Sequence, residues 1–148
     1  MTTRHVRKQI IAILEANSLS WSETQMGGMY LRFSSAGVSI ELASWGVQTL
    51  IQISADVLTG ITASGRAARR EVNRLNGESQ FCRWVYYRES KTISVEYDLL
   101  GDHLQENELM TCLAALARAA DFHDDNLRGV LGGRQAFEDQ FSRQESDG

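Results

Sequence analysis

Between residues 3 and 16 the apolar side chains of Val6, Ile10, Ile13 and Leu14 recur at helical spacing, with Arg4, Arg7, Lys8 and Glu15 on the other side. This period predicts an amphipathic helix from about Thr3, its N-cap, to Ala16. Asn17-Ser-Leu-Ser ends it, because such side chains compete for backbone hydrogen bonds. The period then falls to two. A weak strand at Trp21 to Gln25 is turned back by Gly27-Gly28, after which Met29, Leu31 and Phe33 alternate with Tyr30, Arg32 and Ser34. Past a turn at Ser35-Ala-Gly37, Val38, Ile40 and Leu42 alternate with Ser39, Glu41 and Ala43. Beyond Trp45-Gly46, Val47, Thr49, Ile51 and Ile53 alternate with Gln48, Leu50, Gln52 and Ser54. Alternation of this kind predicts half-buried antiparallel strands.

Helical spacing returns at Thr62, read as the cap of a helix to about Leu75 with Ala68, Val72 and Leu75 facing inward. A hairpin follows: Phe81 to Arg88, a Glu89-Ser-Lys91 turn, then Thr92 to Leu100, in which Ile93, Val95, Tyr97 and Leu99 share a face. Gly101-Asp-His breaks that strand. A long helix then carries Leu109, Leu113, Leu116 and Ala120 on a stripe widened by Met110 and Ala117. It ends near Asp121, or continues through Leu127, Val130 and Leu131 to Gly132-Gly133.

Hairpins flanked by helices, without βαβ alternation, predict an α+β fold. Its order would be α-β-β-β(-β)-α-β-β-α, with a single antiparallel twisted sheet of about five to six strands on helices. One domain is expected over residues 3–133, and the polar, mixed-charge stretch 134–148 is expected to be a disordered tail.

Composition narrows the function more than the fold. The 148 residues suit one ordinary domain, and 43% hydrophobic with 23% charged residues is an average globular balance. A net charge of −4 argues against general nucleic-acid binding, which needs basic surface to displace counterions. No apolar run is long enough to span a bilayer and Met-Thr-Thr-Arg-His starts no signal peptide, so a cytoplasmic protein without membrane attachment is expected. Cys82 and Cys112 lack CxxC spacing and read as reduced thiols. The absence of proline leaves glycine to mark the turns.

No constellation for catalysis stands out. His5, His103 and His123 are the only histidines, and neither HxH nor HExxH spacing occurs, so no metal and no cofactor is expected. The glycines precede a strand or end a helix and form no phosphate cradle. Two features remain. Arg66, Arg70 and Arg74 line up at four-residue spacing with Arg69 beside them, either a solvated helix face or a site for a small anionic ligand. Trp84 and Tyr86 lie on one side of a strand, with Arg83, Val85 and Tyr87 on the other. These aromatics are either core or an interface, where Tyr and Trp bury area at low entropic cost.

At this hairpin the chain resembles the YbjN family, bacterial domains labelled sensory transduction regulators. The resemblance rests on Asn73-Arg-Leu-Asn76, on Phe81 opening a strand, on Ile93 to Leu100 ending Tyr97-Asp98-Leu99-Leu100, and on a long helix from about Gln105. Leu31-Arg-Phe-Ser34 and Val38-Ser-Ile-Glu41 agree as successive strands, so it spans about Val6 to Leu131. The family is similar in fold to type III secretion chaperones, α+β layers that commonly dimerise and hold an extended stretch of another protein. The resemblance implies a twisted antiparallel sheet with helices on one side, and it brings no catalytic residues. A non-enzymatic protein-binding or regulatory module is therefore expected, a homodimer or a partner of a related chain. It would bind a protein segment through the sheet face and its edges, by Trp84, Tyr86 and Arg88 with Tyr30 and Arg32 beside them. The alternative is a sensor of a small anion on Arg66, Arg69, Arg70 and Arg74.

Overall fold

The first helical period forms α1 (Thr3–Ala16) in a computed structural model that describes residues 2–34 and 36–136. Its buried face is Val6, Ile10 and Leu14. The cap lies one residue earlier than the sequence suggests: Thr2 Oγ1 accepts from the His5 N–H at 3.2 Å. At the other end Asn17 Nδ2 donates to Ile13 O and to Glu106 Oε1, both at 2.8 Å, so the residue that stops α1 also ties it to the last helix.

Among the described residues follow β1 (Trp21–Glu23), β2 (Met29–Phe33), β3 (Ala36–Trp45), β4 (Gln48–Thr59), α2 (Gly65–Glu78), β5 (Arg83–Tyr87), β6 (Thr92–Leu100), α3 (Glu106–Leu131) and β7 (Arg134–Gln135). The strands form one antiparallel sheet in the order β1-β2-β3-β4-β6-β5, with β7 added to the end of β4. The α+β class and the order of elements up to α3 expected from the sequence are those observed, and β7 is added after it.

Cross-strand register defines the two faces. Leu31, Val38, Ala55, Val95 and Trp84 are directly opposed in turn across β2, β3, β4, β6 and β5, and all are buried. Met29, Ile40, Ile53 and Tyr97 form a parallel row on the same side. Ala68, Val72 and Leu75 of α2 and Leu109, Leu113 and Leu116 of α3 join the same core. Each fully buried Leu or Ile contributes about 1.5–3 kcal/mol relative to an exposed one, so this face dominates the stability.

Four details depart from the sequence reading. β4 does not stop near Ser54: the ladder to β6 shifts between Asp56 and Leu58, a bulge that leaves both Val57 and Leu58 buried. Thr62 does not cap α2. Ser64 does, through Ala67 N–H at 3.2 Å, while the Thr62 and Ala63 amides donate to Leu131 O and close the end of α3. α3 runs unbroken to Leu131, where Gly132 takes a positive φ of 71°. Order also extends past residue 133, because Arg134 and Gln135 pair with Thr59 and Leu58. Of the expected tail, residues 137–148 lie outside the described residues.

Candidate protein-binding surfaces

The two ends of the sheet differ. At the β5 end, Asn76 of α2 lies along the strand: Trp84 N–H donates to Asn76 Oδ1 at 2.7 Å, and Asn76 Nδ2 donates to Trp84 O at 2.9 Å. One carboxamide thus takes the outward donor and acceptor of Trp84, while by the same period of two those of Tyr86 also face outward. At the β1 end the sheet finishes on three residues. Thr24 N–H donates to Gly28 O at 3.1 Å, so by the period of two Ser22 directs its backbone groups to β2 while Trp21 and Glu23 direct theirs outward. Arg7 stands over the Trp21 ring at 5.5 Å and pairs with Glu23 at 3.5 Å.

The face away from the helices carries polar and apolar rows. Tyr30, Ser39, Ser54, Glu96 and Arg83 are opposed in turn; the next row is Glu41, Gln52 and Asp98, and the next Ala43, Leu50 and Leu100. Arg83 bridges Asp98 at 2.9 Å and Glu96 at 3.2 Å, and the Tyr87 hydroxyl donates to Glu96. Burial first, and then the Glu96 contact, push the Tyr87 phenol up to about 12.

The residues singled out from the sequence do not come together. Trp84 is 3% exposed and closes the buried row, its Nε1 donating to Ser79 Oγ at 3.1 Å and its ring meeting His123 edge-on at 5.3 Å. It belongs to the core, which removes it from any accessible site. Tyr86, on the same side, is half-buried, packed on the core and close to Gly65 at the start of α2. The alternation along this strand was read correctly, but the side that is buried is the one carrying the indole. Arg88 is exposed in the turn after β5. Tyr30 and Arg32 lie on the open face of β2, at the far end of the sheet from Trp84. The arginines of α2 do share an exposed side, but Arg74 is held by Glu71 at 2.9 Å and Glu78 at 3.5 Å, leaving Arg66, Arg69 and Arg70 as the exposed stripe.

Sequence reasoning missed Asn76, noted there only as part of a pattern, and the groove of about 460 Å³ between Phe81 and Cys82 on one side and Ala115, Arg118 and Phe122 on the other. Phe122 is 77% exposed, and Phe81 stacks on Tyr97 at 4.3 Å. Burial raises the thiols of Cys82 and Cys112, the latter to about 12, which disfavours nucleophilic thiolate. Among the described residues no three His, Cys, Asp or Glu side chains gather as a metal would require, and no helix is long and apolar enough to cross a membrane.

A family model described as TY-Chap1, "T3SS (YopN, CesT) and YbjN peptide-binding chaperone 1", matches residues 2–139. Among solved structures, a chain of the crystal structure of the ExsC-ExsE complex superposes with a TM-score of 0.64 at 21% identity, covering 83% of this chain and 93% of that one. No curated protein matches by sequence.

Proposed function

The chain belongs to the TY-Chap1 family of peptide-binding chaperones, and from that premise we propose that it holds an extended segment of another protein by strand addition at β1. The observation that carries this reading is the asymmetry of the sheet. Asn76 takes the outward groups of Trp84 in the middle of the β5 edge, whereas the outward backbone groups of both Trp21 and Glu23 have no hydrogen-bond partner among the described residues. Main-chain pairing there would give affinity with little sequence demand, and Trp21 on β1 with Tyr30 and Arg32 on β2 would supply side-chain contacts. The ExsC-ExsE structure is itself a complex of two proteins, which accords with a role in holding a partner. Nothing in this mode requires a reaction, a cofactor or a metal.

Backbone substitution at the edge tests it. Proline at position 23 removes an outward N–H but leaves the β2 pairing intact, as an edge strand tolerates. Segments selected from an unstructured-peptide library should bind Glu23→Pro about fivefold more weakly, the equivalent of one hydrogen bond of about 1 kcal/mol. Glu23→Ala, which keeps the donor, should bind like the parent. Equal binding by the parent and Glu23→Pro would remove strand addition at β1.

A further inference from the structure

The open face of the sheet has a second character, distinct from its edge. Ala43, Leu50 and Leu100 form a cross-strand row with no helix over it among the described residues, and Trp45 lies on the same face one row further, at the end of β3 opposite Gln48. Trp45 is 64% exposed and Leu100 45%, while Val47 of the connecting turn is 92% exposed. A tryptophan and two aliphatic side chains gathered in solvent at one end of a sheet form an apolar patch rather than scattered surface. The adjoining row is Glu41, Gln52 and Asp98; Glu96 lies one row further on β6, and Asp56 two rows further on β4, opposite Ser94. The formal charges of this face are four acidic, against Arg83 and Arg32. Arg83 is already engaged by Asp98 and Glu96, which leaves Glu41, at the other end of that row beyond neutral Gln52, without an apposed cation among the described residues. Gln48, opposite Trp45, adds a side-chain oxygen with no donor among the described residues.

We infer that this face binds a basic amphipathic segment of a protein partner, with its apolar side chains on Trp45, Leu50 and Leu100 and its Lys or Arg side chains on the Glu41–Gln52–Asp98 row. Successive rows along a strand are two residues apart, about 7 Å. An extended segment running with the strands meets both rows when an apolar residue and a cation are two positions apart. The apolar anchors supply affinity, and the charges select the partner and speed its approach. This inference rests on the reading of the chain as a holder of protein segments, but not on strand addition at β1.

Two unstructured peptides, identical except that the residue two positions from each Leu is Lys in one and Glu in the other, test it by fluorescence anisotropy on the full chain. The Lys peptide is expected to bind about tenfold more tightly, with the gap shrinking as salt screens exposed charges. Gln52→Lys, at an exposed position that breaks no existing bond, should erase the gap. Trp45→Glu with Leu100→Glu should weaken the Lys peptide while circular dichroism stays unchanged. Equal affinity for both peptides overturns the inference, as does tight binding that survives Trp45→Glu with Leu100→Glu but is lost in Glu23→Pro, since the segment would then be held at the edge alone. If neither these peptides nor any library segment binds the parent chain, the segment-holding reading falls together with this one.

Discussion

The indole of Trp84 is held by its backbone at Asn76, by its Nε1 at Ser79 and by the His123 ring against it. Trp84→Ala should therefore cost about 3–5 kcal/mol in urea unfolding, the range for emptying a large aromatic site in a core. A loss below about 1 kcal/mol would contradict its place in the buried row. His123 supplies a pH dependence. Burial first, then Arg74, lower its pKa below the ordinary value, and Glu78 opposes only in part. The folded state thus prefers neutral imidazole. The stability it lends is complete above the unfolded pKa and is lost as pH falls through the folded one. Between about pH 7 and about pH 5 the melting temperature of the parent should fall more than that of His123→Gln. Parallel curves would show that protonation of this ring is not coupled to folding.

Elements were legible where one period held and opaque where it broke. The inward faces of α1, α2 and β2 follow from spacing, with Val6, Ile10 and Leu14, then Ala68, Val72 and Leu75, then Met29 and Leu31 buried as it selects. On β6 spacing selects Ile93 and Val95, but Thr92 and Ser94 on the other side are buried as well. The far half of β4 was not legible, because the bulge at Val57 places consecutive apolar residues inward and cancels the alternation by which strands are read. The end of α3 was ambiguous for another reason: Phe122 is apolar yet exposed, and Asp124-Asp125 follow it, so the stripe blurs before Leu127 and Leu131 restore it. Turns were legible through glycine. Gly27 takes φ of 86° in the β1–β2 connection, and a Cβ at Gly28 would overlap the Ile40 carbonyl oxygen and the Glu41 carboxylate. Gly28→Ala should destabilise by about 1–3 kcal/mol, the usual cost of overpacking, as read by thermal or urea unfolding. Full retention of stability would mean that β3 yields at Ile40.

For the whole molecule, which side of an edge strand is buried is set by neighbours distant in sequence. Trp84-Val-Tyr-Tyr87 carries large side chains on both sides, so period two separates the sides without ranking them. The ranking comes from register with Val95, Ala55, Val38 and Leu31, a row assembled from four other strands. This is why the sheet itself could be anticipated while the accessible surface could not. The open face and the β1 edge become visible only once α2 is seen to lie on the β5 side.

The seal at Trp84 depends on both ends of one carboxamide, that of Asn76. A carboxylate in the same place can accept from Trp84 N–H but has nothing to donate to Trp84 O, leaving that carbonyl unpaired. Asn76→Asp makes that exchange. It should lose about 1–3 kcal/mol of stability and self-associate through β5 on storage, as an uncovered strand edge does. Light scattering that stays flat in Asn76→Asp would show that α2 guards the edge without its amide. One carboxamide of α2 thus stands between a closed sheet edge and the edge-to-edge joining of two copies.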